Sequence, residues 1–471
     1  MDERSEQAVL TRATELAVAF RHSLPHRPVG AVATLEELTA ALGRPLGEQG
    51  EDPRRVVDEI AAAAERGLVA SAGPRYFGFV VGGGLPASLA ADWLVSAWDQ
   101  DAGLYVLGPA AAVAEDVAGA WLVDLLGLPE GTSVGFVTGG QMANFTGLAA
   151  GRHAVLAAAG WDVEEDGLAG APPVTVLIGE GAHVTILSSL RMLGLGGRRA
   201  VRVAADDQGR MKPEALRDAL AQVAGPAIVC AQAGNVNSGA FDPLDEIVDL
   251  AHQRRAWVHV DGAFGLWAAA NPATRALARG MEKADSWAAD AHKWLNVPYD
   301  SGLAFVREPG IHRAPLTIQA AYLQRGAQAE RNPSDWVPES SRRARGIPVY
   351  AALRSLGRQG VAELVERCCA LARRAAARFA ETPGVRVLND VVLNQVLVRF
   401  EGTGDADALT KAVIARVQRE GTCWLGGTRW RGQEAMRVSV SNWSTTEADM
   451  DRSVEAVLEA FAAEGRVERH S

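Results

Sequence analysis

The chain has 471 residues, of which 48% are hydrophobic, and a formal net charge of -10. A chain of this length buries a large core and divides into more than one structural unit. The acidic balance and the lack of a dense Lys/Arg block give little electrostatic attraction to nucleic acid or to an anionic membrane. We therefore expect a protein that acts on a small molecule, with no nucleic-acid or membrane partner.

The N-terminal residues, MDERSEQAVL, are charged where a secretory signal has its apolar core, and no apolar run is long enough to span a bilayer. The four cysteines lack the paired spacing of a zinc site or a disulfide framework. These features predict a cytoplasmic protein with structural thiols and no metal site. The cysteines are Cys230, Cys368, Cys369 and Cys423.

Residues 1–72 are rich in Ala, Leu, Glu and Arg and are interrupted by prolines, which predicts a helical N-terminal arm. From residue 73 onward, apolar β-rich runs alternate with helical patterns. This alternation predicts an α/β domain with a largely parallel sheet covered by helices on both faces. The runs are VGFV, VTVLIG, VRVAA, AIVCAQA, AWVHVD and LAFV.

A polar, proline-containing segment then interrupts the alternation and predicts a lid loop near residues 319–345, within a large domain of residues 73–345. Residues 346–471 contain a long Ala/Arg-rich helical pattern, followed by VRVL, NQVLVRF, a further helix, MRVSV and a last helix. They predict a smaller C-terminal α/β domain.

Lysine is scarce in this chain. Arginine cannot form a Schiff base, whereas a buried lysine loses its proton readily, so the two residues are not interchangeable at a covalent site. Lysine-based covalent chemistry therefore has four candidates, which are Lys212, Lys283, Lys293 and Lys411.

The most informative stretch has one predicted strand ending at Asp261 and a second strand-like run leading to Lys293. Ligands in open α/β sheets gather at such strand ends. Pyridoxal 5'-phosphate (PLP) needs a lysine for its aldehyde and benefits from a carboxylate beside its pyridine nitrogen. Lys293 and Asp261 match these needs, and the small Gly262 and Ala263 leave room for a flat ring. A capped strand end explains Asp261 alone, but not the whole set.

Two further features precede that stretch. The pair Gly139-Gly140 lies between a predicted strand and a helix, where backbone N–H groups hold phosphates. An ordinary strand-to-helix turn is the simpler alternative for the glycines alone, and the pattern is neither a P-loop nor GxGxxG. His183 follows another strand, where an imidazole can stack on a cofactor ring and assist proton transfer. A structural histidine is the alternative.

Together these segments resemble the group II PLP-dependent decarboxylases, the family of aromatic amino acid, glutamate, tyrosine and cysteine sulfinate decarboxylases. The resemblance runs from about Pro74 to Ser441. It implies the fold type I PLP-dependent transferase fold, with a mostly parallel seven-stranded sheet, and a homodimer with shared active sites in which the N-terminal helices wrap the partner. It rests on RYFGF with AADWL, TGGQMAN, GAHVTILSSLRMLGLG, AGNVNSGAFDPL, WVHVDGAFG and DAHKWLNVPYDSG, in the family order.

The resemblance also implies a role for individual residues. Lys293 would carry the Schiff base, Asp261 would pair with the pyridine nitrogen, His183 would stack over the ring, and Ala263 would lie against its other face. The phosphate, or the nearby phenolic oxygen, would be contacted by Gly139, Gly140, Gln141, His292 and the segment 235–238, which includes Asn235 and Asn237.

Several positions depart from better-known members of the family. Gln141 stands where many have Ser, Val236 where Thr is frequent, and Asp290 where aromatic decarboxylases have Asn. An acidic Asp290 would repel a phosphate.

The predicted lid contains the departure with the largest consequence. Aligning Trp336 with the family's loop tryptophan places Pro333 at the position of the tyrosine that is thought to protonate the reaction intermediate in aromatic decarboxylases. Proline cannot donate a proton. Tyr322, Ser334 and His183 are then the candidate donors.

We therefore predict PLP-dependent decarboxylation of an L-amino acid to an amine and CO2. Two alternatives stay open. One is another Cα reaction, either decarboxylation coupled to oxidative deamination or transamination, and the other is a homologue that binds PLP without turnover. The residues predicted to contact the substrate, each with a core or surface role as its alternative, are Tyr76, Phe77, Phe79, Trp98, Trp336 and Arg437.

Overall fold

A computed structural model describes residues 3–318 and 330–467 of the chain. Two sheets, one of seven strands and one of four, organise the described residues, and helices cover both. No helix in this part of the chain combines the length and apolar character needed to cross a membrane.

Three helices form the predicted N-terminal arm. Each carries a recognisable start signal or charge pattern: Thr34 makes a capping box with Glu37, and Asp52 caps the helix that begins at Pro53. None of the three helices contains a buried residue, so the arm has no core of its own. The helices are α1 (Glu3–Ser23), α2 (Leu35–Leu42) and α3 (Pro53–Ala64).

The seven-stranded sheet confirms the predicted α/β architecture. Its strand order is β1-β7-β6-β5-β4-β2-β3, and only β7 runs antiparallel to its neighbours. Most strands are buried on both faces, which explains their continuous apolar sequences. The strands are β1 (Ser133–Val137), β2 (Thr175–Gly179), β3 (Val201–Val203), β4 (Ala227–Gln232), β5 (Trp257–Asp261), β6 (Ser286–Asp290) and β7 (Gly302–Val306).

Helices lie on both faces of this sheet. The main core cluster contains Leu122, Val258 and Leu364, and a second cluster on the sheet contains Leu148, Ile178 and Ile186. The helices up to the end of the large sheet are α4 (Pro86–Trp98), α5 (Pro109–Leu126), α6 (Gly140–Ala157), α7 (Val163–Asp166), α8 (Val184–Met192), α9 (Pro213–Ala221), α10 (Leu244–Gln253) and α11 (Pro309–Arg313).

The C-terminal part begins with α12 (Gly346–Ala380), a 35-residue helix kinked at Gly357, where φ is 61°. An antiparallel sheet follows in the order β10-β11-β9-β8, and its core is continuous with the main cluster. Its elements are β8 (Val385–Val387), β9 (Gln395–Phe400), α13 (Ala406–Glu420), β10 (Gly426–Trp430), β11 (Gln433–Ser439) and α14 (Glu447–Val467).

Candidate active site

Lys293 lies just beyond the end of β6, beside an acidic neighbour. The distance from Lys293 Nζ to Asp290 Oδ2 is 2.7 Å, and the Asp290 side chain is only 2% exposed. The other carboxylate oxygen, Oδ1, lies 3.3 Å from His292 Nε2 and makes no hydrogen bond within the described residues. The lysine therefore sits in a pocket with a buried negative charge.

The glycine turn before α6 packs directly against this group. A Cβ atom on Gly140 would lie 2.7 Å from Asp290 Oδ2, and one on Gly139 would lie 3.1 Å from His292 Cε1. Only glycine allows so close an approach. The N-terminus of an 18-residue helix thus points at His292 and Asp290, where its free N–H groups favour an anion.

Asp261 ends β5, the strand next to β6, and its side chain is buried. Its Oδ1 accepts a hydrogen bond from the Ala263 backbone N–H at 3.3 Å. Burial raises the pKa of the Asp261 carboxyl, and the nearby His183 and Lys293 act in the opposite direction. A cation beside this carboxylate is therefore electrostatically favoured.

His183 caps the N-terminus of α8. Its Nδ1 lies 2.8 Å from Thr185 Oγ1, and burial lowers the pKa of the imidazole. The charges of Asp261, Lys293 and Arg437 also act on the ring. The structure thus brings His183 together with both residues that the sequence analysis assigned to PLP.

The loop after β4 contains Asn235 and Asn237, but protein groups already engage both side chains. Asn235 Oδ1 accepts from the backbone N–H groups of Asn237 and Ser238, and its Nδ2 donates to Gln232 Oε1. Asn237 Oδ1 accepts from Thr428 Oγ1 at 2.9 Å. These side chains shape the loop and join it to the small sheet, and their contacts with a cofactor stay predictions.

Gln141 lies in the first turn of α6, and its side chain is exposed. Its Nε2 donates to Ser188 Oγ on α8 at 3.2 Å. The amide therefore lies between the two helices that carry the glycine turn and His183. Its predicted phosphate contact is compatible with this position and stays a prediction.

Arg437 reaches the same region from β11. Its Nη1 donates to the Val236 carbonyl at 3.2 Å, and burial lowers the pKa of the guanidinium. No ion pair joins Arg437 to a carboxylate in the ranges 3–318 and 330–465. A partly buried cation beside the candidate cofactor site is thus left for an anionic ligand.

Aromatic side chains form a group near Lys293. Trp424 stacks on Tyr76 and on Phe79, with ring centroids 5.1 Å and 5.5 Å apart. Tyr299 stacks on His292 at 4.2 Å. The segment that follows Phe79 crosses the lysine loop, because the Gly82 N–H donates to the His292 carbonyl. The sequence analysis named Tyr76 and Phe79 but not Tyr299 and Trp424. Tyr76 is buried in a small cluster with Leu24 and Val29, and its substrate contact, like that of Phe79, stays a prediction.

The other predicted aromatic contacts have different surroundings. Phe77 is 1% exposed and belongs to the main core, the alternative that the sequence left open. Trp98 is 51% exposed at the end of α4. Trp336 packs against His312 and lies 4.5 Å from the Arg331 guanidinium. None of these contacts involves Lys293, so the substrate contacts of these three rings stay predictions.

Asn296 fixes the chain behind Lys293. Its Oδ1 accepts from the backbone N–H groups of Gly83 and Trp443, at 2.6 Å and 3.0 Å. Its Nδ2 donates to the carbonyls of Trp294 and Ser441. One buried side chain therefore ties together three segments that are distant in sequence, and no sequence signal had identified it.

The predicted lid is described only from residue 330 onward, and Tyr322 lies outside the described residues. Pro333 begins a short 3-10 helix and is buried. This segment is anchored to the chain near α5, because the Ser334 N–H donates to the Gly103 carbonyl and Asn332 Oδ1 accepts from the Tyr105 N–H.

These residues fit PLP. An accessible lysine amine, a buried carboxylate on the adjacent strand and a glycine-flanked helix N-terminus would receive its aldehyde, its ring nitrogen and its phosphate respectively. Asp290, with its unsatisfied oxygen, is the one group whose charge opposes the phosphate.

Comparison with known proteins gives the same assignment. The pyridoxal-dependent decarboxylase conserved domain matches residues 36–401. The chain is 30% identical over 390 residues to L-2,4-diaminobutyrate decarboxylase of Rhizobium meliloti, covering 79% of this chain and 74% of the relative. It is 25% identical over 451 residues to aromatic-L-amino-acid decarboxylase of Bacillus atrophaeus, covering 93% and 92%.

A solved structure supports the fold independently. The crystal structure of Oryza sativa TDC with PLP and tryptamine superposes with a TM-score of 0.91, at 22% identity, covering 98% of this chain and 99% of that one. The architecture, the family match and the lysine site agree with one another. The chain therefore belongs to the pyridoxal-dependent decarboxylase family.

Proposed function

We propose that this protein is a PLP-dependent carboxy-lyase that converts an L-amino acid to the corresponding amine and CO2. One observation carries the proposal: Lys293 and Asp261, after the neighbouring strands β6 and β5, lie close enough to His183, after β2, for their charges to act on one another, in a chain that matches the decarboxylase family. The relatives named above act on aromatic amino acids and on diaminobutyrate. We therefore propose an L-amino acid as the substrate and name no narrower class of amino acid.

Bound PLP supplies an electron sink for the bonding electrons left when the carboxyl group departs. Lys293 would hold the cofactor through its side-chain amine, which lies 2.7 Å from Asp290 Oδ2. Asp261 would stabilise a positive charge on the ring nitrogen, because its buried carboxylate gains most from a cationic partner. The α6 N-terminus and His292 would hold the phosphate, and His183 would cover the ring.

Arg437 is the proposed partner of a substrate carboxylate. Its guanidinium is partly buried, its pKa is lowered by burial, and it donates to one backbone carbonyl. Arginine binds carboxylates through two parallel hydrogen bonds, which are stronger than bonds between neutral groups. A carboxylate held here would lie beside His183, on which the charge of Arg437 acts.

We also propose a homodimer with shared active sites. The arm helices bury none of their own residues, and apolar side chains on α1 and α4 are exposed. A second copy of the chain would cover them. These side chains are Leu10, Val18, Trp93, Leu94 and Trp98.

The proposed domain division is residues 1–72, 73–345 and 346–471, with each of the last two built around one sheet. The proposed location is the cytoplasm. The cysteines among the described residues are free thiols, and thiols stay reduced in that compartment.

The experiment is a panel of common L-amino acids incubated with the PLP-loaded protein, with CO2, amine, aldehyde and peroxide measured together. Lys293→Ala is the blank. Lys283→Ala is the matched control, because Lys283 pairs with surface carboxylates at Asp245 and Asp249. We expect equal amounts of CO2 and amine from one substrate.

Other outcomes decide against simple decarboxylation. Aldehyde and peroxide in place of amine would establish the oxidative alternative, which the buried Pro333 motivates because it cannot donate a proton. PLP bound at Lys293, with no product and no change in the cofactor's absorbance when any amino acid is added, would favour a binding homologue. No product alone would contradict decarboxylation of these amino acids and favour another PLP-dependent reaction.

A further inference from the structure

A chain of hydrogen bonds starts inside the large sheet. Trp257 and His259 lie on the same face of β5, and His259 is the register partner of Ser286 on β6. Trp257 Nε1 lies 2.9 Å from Ser286 Oγ, which lies 2.8 Å from His259 Nδ1. The three residues are buried, so solvent does not compete for these bonds.

The direction of these inner bonds follows from their donors. An indole N–H only donates, so Ser286 Oγ accepts it. The Ser286 hydrogen then goes to His259 Nδ1 at 2.8 Å, because the alternative acceptor, the Gly147 carbonyl, is 3.5 Å away. Burial lowers the pKa of His259 to about 3, so the ring is neutral and carries its proton on Nε2.

The chain continues outward through α6. His259 Nε2 lies 2.9 Å from Asn144 Oδ1, and Asn144 Nδ2 lies 3.2 Å from Thr185 Oγ1. Because Asn144 Oδ1 accepts the hydrogen bond from His259 Nε2–H, the amide nitrogen of Asn144 faces Thr185 and donates to its Oγ1. The Thr185 hydroxyl is then free to donate to His183 Nδ1 at 2.8 Å.

The outer end gives an independent check on this direction. The backbone N–H of Thr185 only donates, and it points at the same His183 Nδ1 at 3.4 Å. Two obligate donors at opposite ends, the Trp257 indole and the Thr185 amide, therefore orient the chain in the same sense. Both make His183 Nδ1 an acceptor, and the ring proton belongs on Nε2.

We propose that Ser286, His259, Asn144 and Thr185 form a directional relay that holds His183 as the tautomer with its proton on Nε2. The inference deepens the proposed function and rests on it. The relay residues are positioning residues, because they act through His183. Because of the relay, His183 Nε2 carries a proton and can donate a hydrogen bond to an anionic group of the substrate or cofactor.

The other tautomer would give the opposite chemistry. With its proton on Nδ1, His183 would present a lone pair at Nε2, which repels a carboxylate or a phenolate oxygen. Lys293 and Arg437 lie close enough to act on the ring electrostatically, and both are suited to anions. A donor at Nε2 matches that environment.

Two substitutions test the relay at nearly constant volume. Asn144→Asp replaces the amide by a group that accepts from both neighbours, so the Thr185 hydroxyl turns away from His183. His183 Nδ1 then keeps only the 3.4 Å bond from the Thr185 amide and faces the hydroxyl oxygen at 2.8 Å, which favours a proton on Nδ1, by a change of tautomer or by protonation. Thr185→Val removes the hydroxyl alone, and Thr185→Ser is its matched control because it keeps the hydroxyl.

The readout is the 15N NMR spectrum of the PLP-loaded enzyme labelled at histidine, with the His183 signals assigned from their loss in His183→Gln. We expect an Nε2–H tautomer in the native enzyme and in Thr185→Ser. In Thr185→Val the preference weakens, and in Asn144→Asp the signals move to the Nδ1–H form or His183 titrates at least one pH unit higher.

An Nδ1–H tautomer in the native enzyme would overturn the relay. So would unchanged His183 signals and titration in both Asn144→Asp and Thr185→Val. The spectrum reports on His183 whether or not product forms. An enzyme that shows the Nε2–H tautomer and loads PLP but releases no CO2 would therefore contradict the proposed function and leave the relay standing.

Discussion

Asp290 places a carboxylate where the proposed phosphate binds, and its charge has a measurable consequence. Asp290→Asn keeps the shape of the side chain and removes the repulsion, so we expect PLP to bind about three- to tenfold more tightly. The dissociation constant is measured by absorbance titration. Asp124→Asn, at an exposed carboxylate paired with Arg358, is the control and should leave the constant unchanged.

The opposite result for Asp290→Asn is also informative. Weaker PLP binding would show that the ion pair with Lys293 positions the amine for bonding to the cofactor, and that this effect exceeds the repulsion. The sequence pointed to the conflict, since it placed an acid three residues before the lysine, but it did not reveal the 2.7 Å contact between them.

Arg437 is the second residue with a direct test. Arg437→Gln removes charge-assisted hydrogen bonds to a substrate carboxylate, and the KM should rise about 10- to 100-fold at unchanged PLP stoichiometry. Steady-state kinetics on the amino acid found in the panel measure it. Arg429→Gln, on the neighbouring strand and bonded to the Gly432 carbonyl, should leave the KM as it is. An unaltered KM in Arg437→Gln would refute the carboxylate assignment.

The sequence revealed only those candidate site residues that have a local signal. Lys293, Asp261 and His183 each follow an apolar strand, and that pattern alone indicates the strand-end edge of a sheet. Trp424 and Asn296 join the same region through contacts with residues hundreds of positions away, which no local pattern encodes. The link from His259 to His183 likewise depends on strand register and helix packing.

Among the elements, strands with buried faces were predicted and one edge strand was missed. The six apolar runs predicted for the large sheet became β1 to β5 and β7, and the strand-like run before Lys293 became β6. Strands such as β1 and β4 are buried along their whole length. Strand β10, with the sequence GGTRW, is half exposed along its length. Within the described residues β10 pairs only with β11. Its position therefore depends more on backbone hydrogen bonds to β11 than on burial of its own side chains.

Helix α11 contains a buried histidine whose protonation opposes folding. His312 Nδ1 lies 2.8 Å from Ser133 Oγ, and burial, aided by the charge of Arg331, lowers the pKa of the ring to about 3. An unfolded histidine takes up a proton below about pH 6.5. His312 therefore contributes its full stability above pH 6.5, and this contribution is lost as the pH falls toward 3.

The test compares the native protein with His312→Gln in denaturant at pH 7.5 and pH 5. We expect the native free energy of unfolding to fall by about 2 kcal/mol more than that of the variant over this range, at about 1.4 kcal/mol per pH unit below 6.5. His22→Gln, on the exposed end of α1, should follow the native protein. Parallel losses in the native protein and in His312→Gln would contradict the expectation.

For the whole molecule, the exposed apolar surface predicts its assembly. Leu94→Glu combined with Trp98→Glu places two charges on α4, and we expect light scattering to show the mass of a monomer in place of a dimer, since buried aromatic contacts each contribute about 2 kcal/mol or more. Val201→Glu, on the edge strand β3, is the control and should remain dimeric. If the double variant keeps the mass of a dimer, α4 does not lie in the proposed interface.

The layered architecture was predictable because alternating strands and helices leave few topologies. The antiparallel direction of β7 was not, because it depends on which strands of the sheet pair with it. The course of the arm helices was likewise absent from the sequence pattern, since apolar side chains such as Leu10, Val18 and Leu35 are exposed and Phe20 packs on a small cluster with Leu24 and Val29.

Asn296 has a consequence for how this scaffold can change. Its amide makes three hydrogen bonds to the backbone of two distant segments, at Gly83 and at residues 441–443, and one to the nearby Trp294 carbonyl, so separating the segments behind the pocket breaks three bonds. New substrate preferences would then arise through exposed side chains, such as Phe79 and Tyr299. The amide protons of Gly83 and Trp443 should exchange with deuterium only when the three segments separate together.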